Sequence, residues 1–151
     1  MNKKRLFFDM DGVLVDFQSG IDKLSEDVKR EYEGRLDEVP GIFSLMDPMP
    51  GAIEAARILS EYYDVYILST APWKNPTAAS DKVAWVTKYL DDVFHKRMVL
   101  THCKNNLSLY NRVEGFAICS HKAEFFILYY TCIFLAHFFI TIEKLVFFVR
   151  R

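Results

Sequence analysis

The chain has 151 residues, of which 51% are apolar and 26% are charged, and its formal net charge is -1. These values predict one compact domain, or a domain with one appendage, and exclude a disordered chain, collagen and a disulfide-stapled miniprotein. The near-neutral charge argues against a nucleic-acid polymer as partner, because domains that bind through counterion release are usually basic. The three cysteines form no CxxC pair and only three apolar residues follow the basic N-terminus. We therefore expect a reduced, cytoplasmic protein without a secretory signal or a structural zinc.

The composition changes near residue 105. Residues 105–151 contain 11 of the 23 aromatic residues, carry more basic than acidic side chains, and have Gly115 as their only glycine or proline. A stretch of this length in a globular domain normally needs several turn residues to reverse its direction. The two parts of the chain are therefore interpreted separately.

Strand and helix patterns alternate in the first part. Residues 5–10 are predicted to form a short strand, and residues 17–47, with apolar side chains at helical spacing among many charges, a helical insertion. We then expect a helix with Pro50 in its first turn, a strand at 64–70, a helix capped by Ser80 and a strand at 97–101. This alternation is typical of the α/β class, in which helices cover a parallel sheet.

Polar residues follow each of the three predicted strands. Asp9 and Asp11 follow the first strand, Thr70 ends the second, and Lys104 follows the third. Ligand sites of such sheets lie beyond the carboxyl ends of the strands, so these four side chains are predicted to converge on one crevice.

That constellation suits phosphoryl transfer. Two close carboxylates need a cation or a proton to coexist, and Mg²⁺ prefers hard oxygen ligands, so Asp9 and Asp11 are the candidate metal ligands. Asp9 is a possible nucleophile on phosphorus, and Asp11 could give a proton to the leaving oxygen and later take one from water. Thr70 would donate a hydrogen bond to a phosphate oxygen, and Lys104 would neutralise charge in the transition state.

The segment DMDGV at residues 9–13 resembles the first motif of the haloacid dehalogenase superfamily. Together with DPMPGAIEAARILS, YILSTAPW, DKVAWVTKYL and KRMVLTHCKN, it resembles the 5'(3')-deoxyribonucleotidases over residues 4–106. The resemblance implies a Rossmann-like parallel sheet with a small helical cap, and a magnesium-dependent phosphatase acting on nucleoside monophosphates. It implies Asp9 as the phosphorylated nucleophile, Asp11 as general acid and base, Thr70 and Lys104 as second- and third-motif residues, and Mg²⁺ on the Asp9 carboxylate and the Asp11 carbonyl.

The resemblance also implies a division of the chain. Residues 1–16 and 48–106 correspond to the core, and residues 17–47 correspond to the cap, where aromatic side chains enclose the nucleobase and sugar. Phe17 and Phe43 are the candidates for that contact. Packing inside the cap is the alternative interpretation of both rings, because aromatic side chains are first of all large buried surfaces.

The resemblance stops after residue 106. The family's fourth motif is a pair of aspartates about ten residues after the lysine, where this chain has Glu114 and Gly115, preceded by a poor pattern for a buried strand. The last strands are therefore expected to be missing or degenerate, and Glu114 is an open alternative as a ligand. Without that carboxylate the metal site would be weaker, so an impaired enzyme and an inactive remnant are the alternatives. Another small phosphomonoester remains an alternative substrate.

Residues 107–151 form an atypical apolar segment. Within it, residues 125–142 carry no formal charge and are long enough to span a bilayer, which makes a membrane tether one hypothesis. A folded end of the sheet is the second, although the segment lacks turn residues. The third is an out-of-frame or degenerate continuation, since Phe, Ile, Leu, Tyr and Lys dominate it.

Overall fold

The computed structural model describes residues 3–103 and the backbone of residues 115–118. Its main sheet has four parallel strands in the order β5-β4-β1-β6. They are β1 (Arg5–Phe8), β4 (Asp64–Thr70), β5 (Met98–Thr101) and β6 (Gly115–Ile118). The predicted α/β class and the three predicted strands are confirmed.

The central strand β1 carries the Asp-x-Asp sequence at its carboxyl end. It pairs with β4 so that Phe8 lies opposite Ile67, and with β6 so that Phe8 lies opposite Ile118. Leu6 and Phe8 are buried, as expected for a strand with neighbours on both sides. Asp9 therefore leaves the sheet at its middle, where the ends of three strands meet.

Short helices make up the segment between residues 17 and 47. They are α1 (Phe17–Asp22), α2 (Glu26–Glu31), a 3-10 turn (Leu36–Glu38) and α3 (Ile42–Leu45). Strand β2 (Val15–Asp16) pairs antiparallel with β3 (Asp47–Pro48), so the chain enters and leaves this segment side by side. The side chain of Asp16 accepts a hydrogen bond from the amide of Gln18 and thereby caps α1. The domain boundaries themselves remain a prediction.

Two longer helices cover the sheet, and both begin elsewhere than predicted. Helix α4 (Ala52–Tyr62) starts after Gly51, whose φ of 74° is left-handed, so Pro50 precedes the helix instead of lying in its first turn. Helix α5 (Ala78–Phe94) starts after Thr77, so Ser80 is not its N-cap. The earlier start arises because Asn75 Oδ1 accepts a hydrogen bond from the amide of Thr77 and fixes the entry to the helix.

Strand β6 follows β5 in the chain. The strands after β5 were expected to be missing or degenerate, and residues 115–118 form a strand of four residues that pairs with β1 along its whole length. The pairing begins at Gly115, where the sequence becomes apolar as GFAI. The rest of the segment 107–151, including Glu114 and the apolar run 125–142, lies outside the described residues. Among the helices that are described, none has the length and hydropathy needed to cross a bilayer.

Candidate active site

A tight turn carries Asp11 away from the end of β1. The carbonyl oxygen of Met10 accepts hydrogen bonds from the amides of Val13, Leu14 and Val15, and the amide of Gly12 donates to the carbonyl of Val15. Gly12 has a φ of 73°, a left-handed conformation that costs glycine little and other residues more. The Asp-x-Asp-Gly sequence thus folds into a fixed turn with its first aspartate at the strand end.

Asp9 lies directly after β1 and is partly buried. Its Oδ1 accepts a hydrogen bond of 2.7 Å from the amide of Met10, the next residue. This local bond orients the carboxylate at the carboxyl edge of the sheet, as predicted for a strand-end aspartate.

A fully buried lysine lies beside Asp11. Nζ of Lys82 is 2.5 Å from Oδ2 of Asp11, 2.9 Å from the Ser69 hydroxyl and 2.8 Å from the Thr70 carbonyl, and the lysine side chain has no exposed surface. A buried charge is tolerated when it is paired and hydrogen-bonded, and this ammonium is both. Lys82 therefore joins the end of β4 to the turn after β1.

The helical segment contributes an aromatic ring to the same cluster. Phe43, which is 2% exposed, places its ring centroid 4.4 Å from Nζ of Lys82, within the range of a cation–π contact. The ring of Phe17 lies 6.0 Å from that of Phe43 and is partly exposed. Phe43 thus lies beside the candidate site, while both rings also pack in the hydrophobic core, as the alternative interpretation expected.

Thr70 and Lys104 are the other two predicted site residues, and the described part of the chain includes only Thr70. Thr70 ends β4 next to Thr101 of β5, and its carbonyl is held by Lys82. Lys104 lies outside the described residues, although the chain before it, through Thr101 and His102, ends at the same edge of the sheet. The geometry therefore brings together Asp11, Thr70 and Phe43, with Asp9 at the neighbouring strand end.

Glu114 lies outside the described residues, so its role as a metal ligand stays a prediction. Within residues 3–103, no group of three or more His, Cys, Asp and Glu side chains is arranged to hold a metal.

Sequence reasoning missed Lys82 and Ser69. Lys82 had a detectable signal, because it falls on the apolar stripe of α5 formed by Ala78, Trp85 and Leu90, all of them buried. A single lysine on a buried helix face is unusual and marks an ion pair or a functional site. Ser69 had no such signal, since a serine inside a strand is common.

Comparisons with known proteins point to one family. Residues 30–110 match the family model "5' nucleotidase, deoxy (Pyrimidine), cytosolic type C protein". A protein of Vibrio phage KVP40 named "Putative 5'(3')-deoxyribonucleotidase" is 55% identical over 103 residues, covering 68% of this chain and 61% of the relative. The human protein named "5'(3')-deoxyribonucleotidase, cytosolic type" is 28% identical over 129 residues, covering 66% of this chain and 64% of the relative.

A parallel α/β sheet with Asp-x-Asp-Gly at the end of its central strand is the arrangement of the haloacid-dehalogenase type. Within that class, the chain belongs to the family of cytosolic type C 5'-nucleotidases, the deoxyribonucleotidases. A solved haloacid dehalogenase-like hydrolase of Streptococcus pneumoniae aligns with this chain at a TM-score of 0.49 and 16% identity, over 84% of this chain and 79% of the hydrolase. The chain spans about three fifths of the length of the phage relative.

Proposed function

We propose that this protein is a phosphatase that removes phosphate from deoxyribonucleoside monophosphates. The observation that carries the proposal is the pairing of Asp9 at the end of the central strand with Asp11 in the following turn, where Lys82 holds Asp11. Membership of the nucleotidase family supports this substrate class. The phage and human relatives are both named as deoxyribonucleotidases.

The proposed reaction has two steps. A carboxylate oxygen of Asp9 forms a bond to phosphorus while the bond from phosphorus to the sugar oxygen breaks, and Asp11 gives its proton to that oxygen. Water then attacks the phosphorylated Asp9, its proton passes to Asp11, and phosphate leaves. In this scheme Thr70 and Lys104 bind phosphate oxygens, while Phe17 and Phe43 contact the nucleoside.

The donor set suits a hard divalent cation, and we propose Mg²⁺. The Asp9 carboxylate and the Asp11 backbone carbonyl offer hard oxygen atoms next to where phosphate would lie, and Mg²⁺ commonly binds one or two carboxylates together with substrate phosphate and water. When bound, the ion would offset the negative charge that a phosphate brings to the Asp9 carboxylate.

The remaining assignments follow from the same proposal. The partner is a small nucleoside monophosphate and not a nucleic-acid polymer, residues 17–47 act as a cap over residues 1–16 and 48–106, and the protein is cytoplasmic. The cytosolic type in the name of the human relative supports the location. The cap assignment is supported by the paired strands Val15–Asp16 and Asp47–Pro48, which bring both ends of the segment together.

The test is magnesium-dependent hydrolysis of deoxyuridine monophosphate by the full chain. We expect phosphate release that stops with a chelator and in Asp9→Asn, because the nucleophile is lost. Asp22→Asn, a matched change at an exposed position of α1, controls for a contaminating phosphatase and should keep the activity. Equal activity in wild type and Asp9→Asn would disprove the proposal, as would a preference for phosphosugars over thymidine and uridine monophosphates.

A second candidate, an inactive remnant of the family, is favoured by one observation. About ten residues after Lys104 the sequence has Glu114 and Gly115 instead of the family's pair of aspartates, one of which supplies a metal-binding carboxylate. A folded chain that releases no phosphate from any nucleoside monophosphate would support this candidate. Wild-type activity would instead mean that the metal site works without that carboxylate.

A further inference from the structure

We propose that Lys82 is a positioning residue that holds the carboxyl group of Asp11 in the orientation needed for proton transfer to the leaving oxygen. The inference rests on the proposed function, since it assigns Lys82 a part in that reaction. It concerns a residue on α5, a helix that covers the sheet and lies 71 positions away from Asp11 in the sequence.

The contacts of the ammonium group support an indirect role. A lysine ammonium has three N–H donors, and three protein oxygens lie within 2.9 Å of Nζ: Oδ2 of Asp11, Oγ of Ser69 and the carbonyl of Thr70. These oxygens come from two different strand ends. The ammonium therefore fixes where the turn after β1 sits relative to β4, and it acts on the reaction through Asp11.

The surroundings of Lys82 keep this arrangement rigid. The side chain is fully buried, its helix neighbours Trp85 and Val86 are buried as well, and the ring of Phe43 lies over Nζ. A charge in such a place gains little from water and depends on its protein partners.

A positioned general acid matters most when the leaving group is poor. The sugar oxygen of deoxyuridine monophosphate must be protonated as it leaves, whereas p-nitrophenolate leaves as a stable anion from p-nitrophenyl phosphate. The parameter kcat/KM reports the steps through phosphorylation of Asp9 and excludes its hydrolysis. A loss of Asp11 orientation should therefore lower kcat/KM for the nucleotide far more than for the aryl phosphate.

The experiment compares both substrates in the full-length wild type, Lys82→Met, Ser69→Ala and Val86→Ala. For Lys82→Met we expect kcat/KM to fall about 100-fold on the nucleotide, the lower range for loss of a general acid, and less than about 5-fold on p-nitrophenyl phosphate. Ser69→Ala, which removes one partner of the ammonium and keeps its charge, should give a smaller change of the same kind. Val86→Ala removes buried volume on the same helix face and should leave the ratio between substrates unchanged.

The outcomes separate the proposals. Equal losses of kcat/KM on both substrates in Lys82→Met would overturn the positioning role and leave the proposed function intact. If Lys82→Met does not fold, Ser69→Ala decides: a wild-type ratio of kcat/KM between the two substrates would have the same meaning. A tenfold weaker affinity of Lys82→Met for inorganic phosphate would show that Lys82 binds phosphate itself and would also overturn it. A wild type that hydrolyses neither substrate would refute the proposed function, and the positioning role with it.

Discussion

The indole nitrogen of Trp85 donates a hydrogen bond of 2.8 Å to the carbonyl oxygen of Met46, 39 positions earlier in the chain. Both residues are buried, Trp85 on helix α5 and Met46 at the end of α3. The bond therefore attaches the end of the helical segment to the helix that also carries Lys82. The position of Phe43 above Lys82 depends on this attachment, since Phe43 lies in α3.

Trp85→Phe should destabilise the fold by about 1–3 kcal/mol, because it leaves the buried carbonyl of Met46 without its donor and removes buried ring volume. Urea unfolding followed by circular dichroism measures the change. Trp73→Phe is the matched control, since Trp73 is 80% exposed, and it should change the unfolding free energy by less than about 0.5 kcal/mol. Equal effects of the two substitutions would contradict the role given to the Trp85 bond.

Asn75 makes a second attachment between the helical segment and α5. Its side-chain amide, 5% exposed, donates to the carbonyls of Asp37 and Val39 at 2.9 and 2.8 Å. Asn75→Asp keeps the shape but replaces the two donors with an acceptor, so we expect a loss of about 3 kcal/mol or more at pH 7. Asn75→Ala, which only removes the bonds, should cost less, about 1–3 kcal/mol. The same unfolding experiment decides, and a smaller loss for Asn75→Asp than for Asn75→Ala would refute the donor role.

The pair Arg57–Asp92 links α4 to α5 on the surface and predicts a dependence on pH. The hydrogen bond from Arg57 lowers the pKa of Asp92 below its ordinary value. A carboxyl whose pKa is lowered by folding adds stability above its unfolded pKa, about 3.9, and loses it as the pH falls through the folded value. Arg57→Gln should therefore differ most from wild type at neutral pH and converge with it near pH 2.

Salt provides a check on that pair. Both side chains are about half exposed, so the contribution should shrink when the ionic strength is raised. Arg30→Gln, in the exposed pair with Asp27 on α2, is the control for a general loss of surface charge. A difference between Arg57→Gln and wild type that persists unchanged below pH 3 would contradict the prediction.

Much of the fold could be predicted because its signals are local. The run DVYILST is β-branched and aromatic and became β4 with the predicted bounds, and the Asp-x-Asp-Gly sequence lies at a strand end as expected. Helix starts were harder. Pro50 and Ser80 are good starting residues by type, but Gly51 and the hydrogen bond from Thr77 to Asn75 decide where the helices begin.

The site could be predicted only in part, because the contacts made by Lys82 join residues that are distant in the sequence. Asp9, Asp11 and Thr70 follow strands and could be placed from sequence order. Lys82 approaches Asp11 from a helix, and only the packing of α5 on the sheet brings the two together. The pairing of β6 with β1 also joins distant residues. Four apolar residues within an apolar segment do not indicate which residue of β1 each of them lies opposite.

Gly12 offers a test of the turn that carries Asp11. Its φ is 73°, and a Cβ there would have open space, so Gly12→Ala should cost about 1–2 kcal/mol through backbone conformation alone. Gly34 is the matched control, with a φ of 74° and equally open space in the helical segment, and its alanine variant should cost about the same. Only Gly12→Ala should shift Asp11, and a displacement of about 1 Å can lower a rate about 10²-fold. Because both variants should be equally stable, their rates of deoxyuridine monophosphate hydrolysis distinguish the two positions. Equal rates would mean that the turn does not orient Asp11.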